Sequence, residues 1–171
     1  AGKHVLVNGA SGSVGSFAVQ VARIMGATVT GVTSTRNLDL VRTLGADRVI
    51  DYTRTEFSDE RAAYDIIFDT VGKSSFGRAE AALKPEGLYL VPTASPSLAM
   101  LRKSGRRARF SATGLRPPAD KRKDLVQLLD WAAAGKLRTV VSETFDLAEI
   151  RAAHARVETG RKVGSIVVNV P

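Results

Sequence analysis

The 171 residues predict an α/β domain built on a doubly wound parallel sheet with helices on both faces, and three observations carry that expectation. Short apolar segments alternate along the chain with stretches of helical periodicity. The segments themselves are apolar at successive positions, Ile66-Ile67-Phe68 above all, as in strands covered on both faces. A glycine-bearing turn, Gly9-Ala-Ser-Gly-Ser-Val-Gly15, joins the first strand to the first helix.

The first strand is His4 to Asn8, and the helix after the turn runs from Val14 to Met25 with Val14, Ala18, Val21, Ala22 and Met25 on its expected buried face, closed by Gly26. A strand over Thr28 to Thr33 precedes a helix over about Asn37 to Leu44, stopped by Gly45. Strands at Arg48 to Asp51 and Tyr64 to Thr70 follow, then a helix over Phe76 to Leu83 ended by Pro85 and Gly87. Strand Leu88 to Val91, a turn at Pro92, a short helix near Ser97 to Arg102 and an edge strand at Arg106 to Thr113 complete the expected order 3-2-1-4-5-6. Pro117-Pro118 mark a break. Beyond it a helix over Lys121 to Ala134, a strand at Thr139 to Phe145, a helix over Leu147 to Glu158 and a strand at Gly164 to Val170 form a C-terminal helix-strand-helix-strand segment.

Composition narrows the function. With 44% apolar residues the chain can bury a core, and it contains no apolar run of the roughly 20 residues a membrane span needs, so cytoplasm is the expected compartment and no membrane partner is expected. There is no cysteine, and His4 and His154 fall in different elements, so no metal site is expected. Nine basic residues and one acid lie between Arg102 and Lys123, and that segment alone accounts for the net charge of +8. It holds a single aromatic, Phe110, and no nucleic-acid-binding motif, which argues against nucleic acid and for a solvated surface.

The chemistry concentrates at strand ends. Ala10-x-Gly12-x-x-Gly15 follows a strand and opens a helix, where missing side chains let a pyrophosphate approach free amides and the positive end of the helix dipole. Ala10 stands where the usual fingerprint has glycine. At the end of the second strand an acid would hold a ribose 2′-hydroxyl, whereas Thr33-Ser34-Thr35-Arg36 places hydroxyls and a guanidinium suited to a 2′-phosphate. Arg36 can equally be read as a solvated residue of a helix start. Thr70-Val71 and Val91-Pro92-Thr93 end the fourth and fifth strands, where open α/β sheets place their ligand crevice, and are candidates for the nicotinamide half. Asp69 reads as an acceptor for nearby backbone amides. No Tyr-x-x-x-Lys pair exists, which excludes the short-chain dehydrogenase arrangement, and no catalytic residue is assigned.

Asn8-Gly-Ala-Ser-Gly-Ser-Val-Gly15, Leu44-Gly-Ala-Asp47, Val49-Ile-Asp-Tyr52, Tyr64 to Gly72, Leu83-Lys-Pro-Glu-Gly87, Ala134-Gly-Lys-Leu137 and Gly160 to Val167 together resemble the medium-chain dehydrogenases/reductases, specifically the zinc-independent quinone-oxidoreductase-like branch. The resemblance implies a Rossmann domain over residues 1–116 and hydride transfer from NADPH to a small-molecule quinone, enone or related carbonyl. It implies that Ala10, Ser11, Gly12, Ser13, Val14 and Gly15 cradle the pyrophosphate, that Ser34, Arg36 and Tyr52 surround the 2′-phosphate, and that Val71, Val91 and Thr93 border the nicotinamide; Thr33 and Thr70, at their strand ends, complete the expected cofactor-binding set. Against the family pattern Ser13 replaces a glycine and Asn37 falls near a usual lysine.

The resemblance further implies a substrate domain ahead of Ala1, with residues 117–171 returning to pack on it. On that view this chain is a cofactor-binding fragment, inactive alone. Family members often pair edge strands across a twofold axis, so a homodimer through residues 106–113 is expected where acids offset Arg107 and Arg109. A second reading makes the chain a nucleotide-sensing or interaction module whose contact surface is the basic segment 102–123.

Overall fold

Alternation along the first strand sets the layers of the molecule. In β1 (His4–Asn8), Leu6 points to one face of the sheet and Val7 to the other, and both are fully buried. The computed structural model describes residues 1–72, 74–92, 105, 107–110 and 116–171. Within them β2 (Thr28–Thr33), β3 (Arg48–Asp51), β4 (Tyr64–Asp69), β5 (Leu83–Val91) and β6 (Ala108–Phe110) join β1 in a six-stranded sheet of order β3-β2-β1-β4-β5-β6. Every neighbouring pair in that sheet is parallel, so the doubly wound Rossmann architecture is the observed one.

Leu6, Val32, Ile67 and Tyr89 form the core on one face together with Phe76 of α3 (Phe76–Ala79). Val7 and Val29 form the other with Val19 of α1 (Ser13–Ile24) and Val41 of α2 (Leu38–Thr43). β6 is at the sheet's edge as expected, but Arg107 beside it is not free: its guanidinium lies 5.6 Å over the Phe76 ring and bonds Glu80 and the Lys84 and Gly87 carbonyls. The expected helix near Ser97 to Arg102, most of the remainder of the 106–113 strand, and Thr93 lie outside the described residues.

Three expectations are corrected. The helix over Phe76 to Leu83 is one α-helical turn and a 3-10 turn (Glu80–Ala82), because β5 begins already at Leu83 and passes through Pro85 and Gly87 with a register shift against β4. The helix expected from Lys121 is α4 (Pro118–Ala133), with Pro118 at its first position, where a missing N–H costs nothing. The buried face of α1 is turned from the expected one: Gly15, Ser16, Val19 and Gln20 are buried, while Val14 is 50% and Met25 62% exposed. Gln20 is buried because both ends of its amide are satisfied. It donates to the Ser16 and Arg138 carbonyls at 2.9 and 3.0 Å and accepts from the Arg138 N–H at 2.9 Å.

Arg138 belongs to the C-terminal segment, where β7 (Val141–Asp146) and β8 (Ser165–Asn169) form a parallel two-stranded sheet joined through α5 (Ile150–Glu158). A capping box between Asp146 and Glu149 starts the turn that leads into α5.

At the opposite end of the sheet from the glycine turn, Asp65 accepts from Lys84 Nζ (2.8 Å), the His4 N–H (2.9 Å) and Lys3 Nζ (3.3 Å). These donors, Lys84 first, hold its carboxyl well below the usual carboxylate range. A pKa depressed by folding adds stability above the unfolded value of about 4 and loses it as pH falls through the lower folded value. Asp65→Asn is therefore expected to lower the urea midpoint at neutral pH, and the two proteins' midpoints should converge in acid. A constant gap at every pH would disprove the ionic contribution.

Candidate functional site

The turn after β1 is shaped by two glycines that no other residue could replace without movement. Gly9 has φ +83°, and a Cβ there would lie 2.6 Å from Thr70 Oγ1 and from Val71 Cγ2. A Cβ on Gly15 would lie 2.0 Å from the Gly9 carbonyl oxygen, so α1 packs directly against the turn. Gly12 caps α1 without a side chain, and the first intrahelical bond is that of the Ser16 N–H to the Gly12 carbonyl (2.9 Å). The N–H groups of Ser13, Val14 and Gly15 therefore precede the helical ladder and point out of the helix end. Ala10, the departure from the glycine fingerprint, is buried in the core and faces Gly31, whose own Cβ would lie 3.0 Å from it. Its methyl points away from the cleft, so alanine there leaves the cradle open.

A cavity of about 420 Å³ brings together Ser11, Gly12, Ser13, Val14, Thr70 and Val71 from the expected set, with Gly9 beside them and Val157, Gly160 and Lys162 from the C-terminal segment. Thr70 Oγ1 donates to the Asn8 carbonyl at 2.7 Å. Asp69 is fully buried and accepts from Asn8 Nδ2 (2.9 Å), the Val71 and Gly72 N–H groups (3.1 and 3.2 Å) and the Tyr89 hydroxyl (2.6 Å). Burial, and then the hydrogen bond to Asp69, push the Tyr89 phenol far above its ordinary range, so it stays a donor. The role expected of Asp69, acceptor for backbone amides, is what the geometry shows. Val91 is buried at the end of β5 and does not line this cavity.

Thr33, Ser34, Arg36 and Tyr52 lie apart from the cavity at the ends of β2 and β3. Thr33 Oγ1 donates to Ser11 Oγ at 2.8 Å, and Asn37 Nδ2 donates to Ser11 Oγ and Ser34 Oγ at 3.2 and 3.3 Å, so hydroxyls and amide tie this rim to the glycine turn. Arg36 is exposed in a 3-10 turn and has no carboxylate partner among the described residues. An acid does stand nearby: Asp51, paired in register with Thr33, accepts from Thr35 Oγ1 (2.6 Å) and Thr53 Oγ1 (2.7 Å). Those bonds, Thr35 first, lower its pKa. The residues missed by sequence reasoning are Asn37, Asp51 and Lys162. Each acts across a tertiary contact, although Asp51, in Val49-Ile-Asp-Tyr52, and Lys162, in Gly160-Arg-Lys-Val-Gly164, fell inside motifs already quoted.

A family model described as zinc-binding dehydrogenase matches residues 44–168. A trans-enoyl reductase of Aspergillus terreus is 35% identical over 99% of this chain and 52% of its own length. A mitochondrial NAD(P)H oxidoreductase of Mus musculus is 35% identical over 99% of this chain and 48% of its own. Among solved structures, a quinone oxidoreductase from Coxiella burnetii superposes with a TM-score of 0.87 at 27% identity, over 99% of this chain and 53% of that one. The chain thus spans about half the length of the relatives it matches. The zinc of the family description finds no donor set here, since the chain has no cysteine and no group of three or more His, Asp or Glu among the described residues is placed to hold a metal ion. No helix among the described residues is long and apolar enough to cross a membrane.

Proposed function

The chain belongs to the medium-chain dehydrogenase/reductase superfamily, in its zinc-independent quinone-oxidoreductase-like branch, and from that premise we propose that it is the NADP(H)-binding half of an oxidoreductase that passes hydride from NADPH to a quinone, an enone or a related carbonyl compound. The observation that carries this reading is the glycine-built turn at the amino end of α1, which shares one cavity with Thr70 and Val71. A bound dihydronicotinamide supplies the hydride. The chain's own residues bind, orient and shield it. The N–H groups of Ser13, Val14 and Gly15 receive the pyrophosphate. Thr70, locked to β1 through the Asn8 carbonyl, and Val71, locked through Asp69, would wall the nicotinamide side of the cleft and limit how the ring can turn.

The acceptor pocket, in this reading, is completed by a substrate domain on which residues 117–171 pack. Support comes from α4, whose Leu125 and Leu129 are 60% and 68% exposed. The 2′-phosphate is received by Ser34, Arg36 and Tyr52. Arg36 supplies a planar charge-assisted pair, screened by its exposure and opposed by the neighbouring Asp51 carboxylate. The expected net preference for NADPH over NADH is about tenfold. Calorimetric titration tests it. Arg36→Ala should weaken NADPH, leave NADH nearly unchanged and flatten the salt dependence of NADPH affinity. Equal affinities for both cofactors in the unmodified chain would refute the preference, and no binding of either would refute the proposal.

A further inference from the structure

We propose that Lys162 is a cofactor-positioning residue, its ammonium brought over the glycine turn by the segment after α5 to bind the pyrophosphate of the dinucleotide. The inference rests on the cofactor reading above and adds to it a cation from outside the Rossmann sheet.

Lys162 Nζ donates to Ser13 Oγ and, at 2.8 Å, to the Gly164 carbonyl, so the ammonium stands at the first residue of α1. A cation at a helix amino end opposes the dipole and faces amide N–H groups of its own sign. Neutral oxygens hold it there, and among the described residues no carboxylate forms an ion pair with it. Burial lowers its proton affinity below that of an ordinary lysine, a penalty that an adjacent anion removes. The same side chain lines the cavity with Gly12, Ser13 and Val14.

Its reach is set by a rigid mount. The Gly164 N–H donates to the Ser11 carbonyl (2.8 Å), Ser13 Oγ donates to the Gly164 carbonyl (2.7 Å), and Gly12 and Gly164 form a parallel bridge. Gly164 adopts φ +57°, and a Cβ there would lie 2.2 Å from the Val140 carbonyl oxygen, so this backbone path belongs to glycine. A dianionic pyrophosphate above Gly12 to Val14 would meet amides from below and the ammonium from the side. Helix terminus and lysine then work on one ligand.

The test is a set of titrations with NADPH, NADH and adenosine 2′-monophosphate, the last carrying the 2′-phosphate without a pyrophosphate. Lys162→Met should weaken NADPH and NADH alike, each by about tenfold, flatten the salt dependence of both, and leave adenosine 2′-monophosphate unchanged. Lys162→Arg should recover most of the loss. Lys162→Gln, which keeps donors for Ser13 and Gly164 without the charge, should behave as Lys162→Met and serves if that variant folds poorly. Unchanged NADH affinity in both neutral variants would overturn the inference, as would a parallel loss of adenosine 2′-monophosphate, the mark of a structural role. Failure of the unmodified chain to bind either dinucleotide would overturn the cofactor reading itself.

Discussion

Asp69→Ala is expected to cost about 4 kcal/mol of stability, the largest loss of any single change in the site. The carboxylate is fully buried at the end of β4 and is the common acceptor of four donors: Asn8 Nδ2, the Tyr89 hydroxyl and the N–H groups of Val71 and Gly72. Truncation leaves the Tyr89 hydroxyl without its partner in the interior and the Asn8 amide and the Val71 and Gly72 N–H groups without theirs nearer the surface, at roughly 1 to 3 kcal/mol for each one that water cannot reach. For a chain of this size that corresponds to a fall in melting temperature of roughly 8 to 16 °C. Asp69→Asn should lose much less. Its oxygen can keep the three donors now shared on Oδ1, and the Tyr89 hydroxyl can turn to accept from the new amide. Tyr89→Phe removes one donor and should cost about 1 kcal/mol. Thermal melts of the three variants decide the matter. Equal losses for alanine and asparagine would show that the charge, rather than the set of donors, is what the fold requires. In variants that remain folded, the Val71 wall loosens, so NADPH affinity should fall with stability.

Gly15→Ala is the second large effect, and here a methyl group is added. Its Cβ would sit 2.0 Å from the Gly9 carbonyl oxygen and 2.9 Å from the Ala10 Cα, both backbone atoms that no rotamer change can move. Either α1 retreats from the turn or the turn opens. Overpacking of this kind costs about 3 kcal/mol, and retreat of α1 carries the Ser13 to Gly15 amides away from the pyrophosphate. Cofactor affinity should fall by more than about tenfold, for NADPH and NADH equally. Gly12→Ala makes the contrast, since its Cβ would meet the Gly9 carbonyl oxygen at only 3.4 Å. That variant should keep the melting temperature of the unmodified chain and lose affinity alone, because its methyl projects into the cradle. A Gly15→Ala protein that melts and binds normally would refute the close-packing role.

Residues whose environment is local were legible in the sequence. Continuous apolar strands between helices required a sheet with two covered faces, and the turn between β1 and α1 required glycine where the backbone bends and where helix meets turn. The glycine turn after β1 and the amide-accepting role of Asp69 follow from windows of a few residues, and the strand order follows from the doubly wound class that the alternation of strands and helices indicates. Tertiary structure alone decided what depends on distant partners. The buried face of α1 contains Ser16 and Gln20 rather than Val14 and Met25, because Gln20 finds its hydrogen bonds on Arg138, 118 positions away. A hydrophobic periodicity assigns the helix phase to its most apolar residues and has no means of crediting a buried amide that is fully bonded. The same separation hid Lys162, 149 positions from Ser13, and Asp51, which the parallel pairing of β2 and β3 sets beside Thr33. A charge acts through space, and only the fold determines which charges and hydroxyls share that space.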